Sequence, residues 1–167
     1  MPRPHYLCSQ LILISLLSAP VMAQVTNPFE WIEPQSRSQL WLNAGMQSYH
    51  YDGNNQLNNN NIGFGAEYVF STVASATLGG YKNSNSKNSN YAGIYYHPIA
   101  LGPVQFGLVG SLLNGYQKVN HGGYFPALIP AASFEKDWFG VNMLFIPTVG
   151  DKIRGVISLQ LKLKGLD

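Results

Sequence analysis

The sequence predicts an all-β protein, an eight-stranded antiparallel up-and-down transmembrane β-barrel that follows a cleaved signal peptide. The first observation is composition, because only 11% of the 167 residues are charged, against roughly a quarter in typical soluble domains. The chain also has 13% aromatic residues, 17 glycines and 10 prolines, which favour strands and turns over helices. The other two observations are a period-two alternation of side chains and an alternation of short and long connections.

Residues 1–23 have the pattern of a secretory signal peptide. Arg3 precedes an apolar stretch at 11–17, and small residues lead to the expected cleavage after Ala23. The apolar stretch is shorter than the roughly 20 residues that a spanning helix needs, which disfavours the alternative of a retained anchor. Cys8 is the only cysteine and lies within this segment. The mature chain is therefore expected to lack disulfides, cysteine metal sites and a cysteine nucleophile.

Residues 24–37 are predicted to be a short N-terminal periplasmic segment, and residues 38–167 a single barrel domain. The short segment carries Trp31 and two other large apolar residues between two prolines. Two interpretations stay open for it: an interfacial cap with Trp31 at the depth of the lipid headgroups, and an ordered tail. The predicted location of the whole protein is the outer membrane of a Gram-negative bacterium.

The alternation of side chains is well marked in residues 62–72. Bulky apolar groups, including Phe64 and Phe70, occupy one parity, and small or polar groups dominate the other. A soluble barrel or sandwich, the alternative, would carry Lys and Glu on its outward parity, whereas here the second parity is mostly Gly, Ser and Asn. The apolar parity is therefore predicted to face lipid and the small groups to fill a narrow lumen. The predicted strands span residues 38–51, 62–72, 73–82, 90–97, 104–113, 124–135, 139–145 and 153–164.

The predicted connections differ in length and composition. Long connections, rich in Asn, Ser and Gly, are expected at 52–61, 83–89 and 114–123, and short ones at 98–103, 136–138 and 148–151. Short turns at one end and long loops at the other are typical of small outer-membrane barrels. The run from Asn54 to Asn61 is expected to be a mobile polar loop. One departure is the chain end at Leu166 and Asp167, because such barrels usually end in an aromatic residue.

Charge and histidine spacing exclude several classes of function. Ten basic and eight acidic residues give a formal charge of +2, which offers no broad basic field for nucleic acid. His50, His97 and His121 show no metal-ligand spacing, so neither a metal site nor a cofactor is predicted. His97 is expected in a short turn. Glu67 faces inward by parity and is expected to pair with Arg154 inside the barrel.

A candidate reactive pair comes from the ends of two predicted strands. His50 closes the first strand and Ser84 follows the third, and odd-numbered strands of an up-and-down barrel end on the same side. A hydroxyl and an imidazole can therefore meet at one rim, as an activated nucleophile requires. Strict alternation groups His50 with Leu42 and Met46, so an inward His50 needs a bulge, expected near Ser48. The alternative is a surface histidine and an unrelated loop serine.

Three segments together resemble one known family. The Tyr-Lys-Asn-Ser of residues 81–84, followed by Tyr-Ala-Gly at 91–93, is similar to a Lys-Asp-Ser segment with a downstream Ala-Gly at the same spacing. Residues 50–52 and the Asn-rich loop are similar to the stretch that begins at a catalytic histidine, and residues 145–147 to a late strand. The family is that of the lipid A palmitoyltransferases, eight-stranded outer-membrane enzymes that move an acyl chain from a phospholipid to lipid A. The resemblance covers roughly residues 42–164.

The resemblance implies roles for five residues. Ser84 falls on the catalytic serine position, His50 on the catalytic histidine, and Asn83 on an acidic position. Asn83 is not a carboxylate, although an amide can orient a neighbour by hydrogen bonding. Tyr95 stands where the family has a glycine at the floor of its acyl pocket, which implies a shorter or blocked chain. Pro147 matches a proline beside a lateral path for lipid.

The implied activity is transfer or hydrolysis of an acyl chain of outer-leaflet lipid by a monomer, with phospholipid and lipid A as partners. His50 would accept a proton, Ser84 would attack or stabilise the developing charge, and Asn83 or Asp52 would orient the imidazole. The alternative is a non-enzymatic outer-membrane barrel with a structural or loop-mediated binding role. Asn83, Tyr95 and the Asn-rich run favour that alternative.

Overall fold

A computed structural model describes residues 27–51, 57–150 and 153–166, so the expected signal peptide and Asp52 lie outside the described residues. The described residues form nine strands and a single 3-10 turn at Asn120–Gly122. The strands are β1 (Phe29–Trp31), β2 (Ser36–His50), β3 (Asn60–Ser71), β4 (Ala74–Lys82), β5 (Asn88–Leu101), β6 (Val104–Leu113), β7 (Phe125–Lys136), β8 (Phe139–Ile146) and β9 (Val156–Leu166).

Strands β2 to β9 close into an antiparallel barrel. Each strand pairs with the next along the chain, and β9 returns to pair with β2, for example at Leu42↔Leu163. The ladder therefore runs around the whole ring of strands, and no strand of the barrel is an edge strand. The predicted all-β fold and its eight-stranded up-and-down order are therefore confirmed.

The connections lie in two sets at opposite ends of the barrel. At one end, called here the turn end, the links are residues 72–73, 102–103 and 137–138. At the other, the loop end, they are residues 51–59, 83–87, 114–124 and 147–155. The connection expected at 98–103 was too long, because β5 continues to Leu101. His97 is therefore not in a turn: it is a buried residue of β5, and the strand shifts register around Pro98, which cannot donate to a ladder.

Apolar side chains cover the outside of the barrel. Phe64 is 81% exposed and Leu128 is 70% exposed, and both lie in the middle of paired strands. Polar side chains such as Glu67 and Asn142 are buried in the lumen. This distribution is the reverse of that in a soluble barrel, where large apolar groups pack centrally.

An irregularity in β2 turns its last residues toward the lumen. Trp41 and Asn43 are buried, but beyond Gly45 the buried parity changes and Ser48 faces inward. The ladders to β3 and β9 both shift register between Asn43 and Met46. A bulge was predicted near Ser48, and it lies a few residues earlier, at a glycine where a Cβ would lie 2.6 Å from the backbone nitrogen of Gly63.

The N-terminal segment contains a short strand. β1 pairs with the last residues of β5, at Phe29↔Leu101 and Trp31↔Ile99, beyond the point where β4 begins. Trp31 is 76% exposed at the turn end. The segment is thus ordered, and it adds a ninth strand to the part of β5 that extends beyond β4. The depth of Trp31 in a membrane stays a prediction.

A buried ionic cluster fills the lumen near the turn end. The Lys162 ammonium donates to Glu67 Oε1 at 3.0 Å and to Glu135 Oε1 at 2.8 Å, and Arg37 lies 3.2 Å from Glu135 Oε2. Asn142 donates to Glu67 Oε2 at 2.8 Å. Glu67 therefore pairs with Lys162 and not with Arg154 as expected, because Arg154 lies in the connection at the loop end.

Candidate functional site

His50 and Ser84 meet at the loop end of the barrel. His50 is the last residue of β2, and Ser84 lies two residues after the end of β4. The His50 Nε2 atom is 2.9 Å from the Ser84 Oγ atom, which is a hydrogen-bond distance. The bulge in β2 allows this contact because it gives His50 the inward parity. The two residues that the sequence proposed as a pair are therefore brought together.

The other ring nitrogen of His50 also has a partner. His50 Nδ1 lies 2.7 Å from the Asn59 Oδ1 atom, in the connection between β2 and β3. A hydroxyl, an imidazole and a side-chain carbonyl oxygen thus form a continuous hydrogen-bonded series. Sequence reasoning did not single out Asn59, because it lies inside a run of asparagines in which no one position stands out.

Asn83 is fully buried and orders the loop that carries Ser84. Its Oδ1 atom accepts from the backbone N–H groups of Asn85 and Lys87, at 2.9 and 3.0 Å. Its Nδ2 atom donates to Ser89 Oγ at 2.9 Å and to the Gly115 carbonyl at 3.0 Å. These four bonds use the capacity of the amide, so Asn83 shapes the loop next to Ser84 while Asn59 contacts the imidazole.

The described part of the Asn-rich run is held by hydrogen bonds. The Asn58 backbone N–H donates to the Ser84 carbonyl at 2.8 Å, and Asn58 Nδ2 donates to the Asn83 carbonyl at 3.3 Å. Asn61 is buried, and its Nδ2 atom donates to the Lys82 carbonyl at 2.7 Å. Asn58 and Asn61 therefore tie the β2–β3 connection to the segment around Ser84, and residues 60–61 belong to β3 rather than to a loop. The mobility of the rest of the run stays a prediction.

His50 and Ser84 lie at the lining of an apolar cavity of about 540 Å³ inside the loop end of the barrel. Buried residues of four strands form its wall and pack against one another. They are Tyr95, Val109, Ile129 and Leu144. A cavity of this size and character is typical of sites that hold an apolar ligand.

Tyr95 and Pro147 lie at different depths of this cavity. Tyr95 is 3% exposed, and its ring stacks on His97 with 5.3 Å between centroids, at the boundary with the buried ionic cluster. It therefore lies on the cavity side that faces the turn end, where a floor was predicted. Pro147 is exposed and follows β8 at the loop end, where it lines the opening.

The wall of the cavity is interrupted between β7 and β8. Paired residues run only from Lys136↔Phe139 to Ala131↔Leu144, so residues 125–130 of β7 have no ladder partner on β8. Pro126 and Pro130 lie in this stretch and lack a backbone N–H. Residues on both sides of the interruption line the cavity. The cavity therefore has a lateral gap in its backbone wall.

The loop between β6 and β7 carries Tyr116 over the cavity. The Tyr116 and Tyr81 hydroxyls lie 2.9 Å apart. Burial raises the pKa of the Tyr116 phenol above its ordinary value of 10.0, so it stays neutral at physiological pH. Lys118, in the same loop, and Arg154 place cationic groups at the mouth of the cavity.

The described residues offer neither a metal site nor a membrane-spanning helix. They include no group of three or more His, Cys, Asp and Glu side chains arranged to bind a metal ion. Within the same ranges, none of the helical segments has the length and apolarity to cross a membrane. The chain matches no protein-family model, and it matches none of the curated proteins.

Proposed function

We propose that this protein is an outer-membrane enzyme that transfers or hydrolyses an ester-linked acyl chain of membrane lipid, with Ser84 as nucleophile and His50 as general base. The observation that carries the proposal is the 2.9 Å contact between His50 Nε2 and Ser84 Oγ at the edge of a large apolar cavity. A nucleophile hydrogen-bonded to a base, itself held by a third group, is the usual arrangement for covalent acyl transfer.

The outward surface supports a membrane location. Apolar side chains cover the strands, and exposed aromatic residues collect at both ends of the barrel, as they do at the two membrane interfaces. At the turn end they are Phe29, Trp31 and Trp138, and at the loop end Tyr49, Tyr51 and Tyr124.

The reaction follows from the two side chains. Ser84 Oγ attacks the ester carbonyl carbon while its proton passes to His50 Nε2. The carbon–oxygen bond to the lipid alcohol then breaks, and the imidazolium returns the proton to the leaving alcohol. The acyl group on Ser84 passes to a hydroxyl of lipid A in transfer, or to water in hydrolysis, with His50 again accepting the proton.

The cavity and its gap support a lipid substrate. An acyl chain lying in the membrane beside β7 and β8 would enter between them without crossing the polar loop end. Its ester would then lie near Ser84, and a phosphate of its headgroup near Lys118 and Arg154. The resemblance to the lipid A palmitoyltransferases favours phospholipid as donor and lipid A as acceptor, in a monomer that needs no cofactor.

The proposal is tested by mass spectrometry of lipid A and phospholipid after expression in a strain that lacks its own lipid-modifying enzymes. A gain or loss of one acyl chain is expected, and it should be absent in Ser84→Ala and in His50→Ala. Ser86→Gly and His121→Ala are matched controls, since both residues are exposed in loops and should keep activity. Correctly folded wild-type protein that leaves both lipids unchanged would contradict the proposal.

A non-enzymatic barrel is the second candidate, favoured by the absence of a carboxylate at Asn83 and by the ordered asparagines at 58–61. In that case the loops would bind a partner, or the barrel would have a structural role in the outer membrane. Replacing residues 58–61 would then change a surface interaction while Ser84→Ala would change nothing.

A further inference from the structure

We infer that Asn59 is a positioning residue for His50, and that it holds the ring in the tautomer that accepts the Ser84 proton. The inference rests on the proposed function of the same site. Two contacts carry it: Asn59 Oδ1 lies 2.7 Å from His50 Nδ1, and Ser84 Oγ lies 2.9 Å from His50 Nε2.

The tautomer follows from the chemistry of the three groups. A neutral imidazole carries one N–H, and an amide oxygen can only accept a hydrogen bond. The hydrogen must therefore be on Nδ1 when Asn59 Oδ1 is its partner. Nε2 then has a free lone pair, and the Ser84 hydroxyl donates to it. Asn59 thus fixes the ring as a carboxylate does in a Ser-His-Asp triad, but without a negative charge.

Asn59 is itself held in place by its neighbours. The Ser48 backbone N–H donates to the Asn59 carbonyl at 2.8 Å, which anchors Asn59 to β2 two residues before His50. The adjacent Asn58 is bonded to the Ser84 carbonyl at 2.8 Å. One dipeptide therefore contacts both halves of the pair, which come from strands that are separated by β3.

Asn83, which falls on the acidic position of the lipid A palmitoyltransferases, does not make this contact with His50. Asn83 makes its four side-chain hydrogen bonds within its own loop, to Ser89 at the start of β5 and to the Gly115 carbonyl. The group that contacts His50 is therefore in the connection that follows His50, and not at the position before Ser84.

The first test reads the tautomer directly. The folded barrel is labelled with ¹⁵N-histidine in detergent micelles, and the His50 signals are assigned by their loss in His50→Ala. Wild type should show a protonated Nδ1 and an unprotonated Nε2. Asn59→Leu, which has similar volume but no acceptor, should move the proton toward Nε2, while Asn60→Leu, the matched control, should not. A wild-type proton on Nε2, or an unchanged tautomer in Asn59→Leu, would overturn the inference.

The second test measures acyl release by the same variants. Asn59→Leu should lower kcat by about 10²–10⁴-fold, the usual contribution of a correctly protonated general base. Asn59→Asp keeps an acceptor oxygen at this position and should retain most of the wild-type kcat. Asn60→Leu should have the wild-type kcat. If wild type has no acyl activity but Asn59→Leu changes the tautomer, the proposed function fails and the positioning role stands. If wild type is active and Asn59→Leu is as active, the positioning role fails alone.

Discussion

Replacement of Lys162 by Met tests whether the buried ionic cluster stabilises the barrel. The Lys162 side chain is 0% exposed and lies between two carboxylates, at 3.0 Å from Glu67 and 2.8 Å from Glu135. Its ammonium also lies 5.2 Å from the centre of the Trp41 ring. The substitution keeps similar volume and removes the ammonium that bridges the two carboxylates, so Glu67 loses its ion pair while Glu135 keeps the one with Arg37.

The magnitude follows from burial. Removing one partner of a buried ion pair costs about 3–5 kcal/mol, because the remaining charge stays desolvated and unpaired. Arg37 is the matched control, since its side chain is 32% exposed and forms an ion pair with the partly buried Glu135. Partly solvated pairs contribute about 0–1 kcal/mol, so Arg37→Met should cost several-fold less than Lys162→Met.

The assay is equilibrium unfolding in urea with the barrel in lipid vesicles, followed by tryptophan fluorescence. Trp41 is buried beside Lys162 and reports on this part of the lumen. The double variant with Glu67→Gln removes the unpaired charge and should recover part of the lost free energy of unfolding. A Lys162→Met barrel within about 1 kcal/mol of wild type, or no less stable than Arg37→Met, would refute the reasoning.

Three further predictions concern the bulge, the cavity and the Ser84 loop. Gly45→Ala should lower the free energy of unfolding in the same assay by about 1–3 kcal/mol, because the added Cβ would collide with backbone atoms of β3. Gly110→Ala is the control and should be tolerated, because there the added Cβ would meet only a Leu128 side-chain atom at 3.9 Å. Tyr95→Ala should deepen the cavity, so that the enzyme accepts longer acyl chains, which lipid mass spectrometry would detect. Each additional methylene buried in the cavity should raise the affinity for the chain about fourfold. Tyr96→Ala removes a side chain from the outer face and should leave the accepted chain length unchanged. Asn83→Ala should lower acyl release at unchanged fold, because four hydrogen bonds that shape the Ser84 loop are lost; a variant with wild-type rate would contradict this.

Most of the barrel could be predicted from the sequence. Side-chain alternation depends only on the pleat of a strand, so the eight segments were located within a few residues from residue types alone. The exception was the end of β5, where His97 and Pro98 resembled a turn but belong to a strand with an irregular register. Local residue preferences do not reveal where a neighbouring strand is long enough to continue the pairing.

The sequence predicted only some of the residues of the candidate site. His50 and Ser84 were found because up-and-down order brings alternate strand ends to one side of a barrel. Asn59 was not found, and the partner of Glu67 was assigned to the wrong basic residue. The Asn59 contact depends on the register shift at Gly45, whose exact place is set by pairing with two neighbouring strands. The error for Glu67 arose because Arg154 belongs to the loop-end connection rather than to a strand.

The sequence by itself determined the class of fold, the parity of apolar groups and the rim on which the reactive pair lies, because these follow from backbone geometry and chain order. Only the tertiary structure decided which asparagine contacts His50, that Lys162 pairs with the buried Glu67 and the partly buried Glu135, and that a cavity with a lateral gap adjoins Ser84. The physical reason is that side-chain partners across a closed barrel are set by strand register and bulges, which accumulate around the whole ring rather than within any one segment.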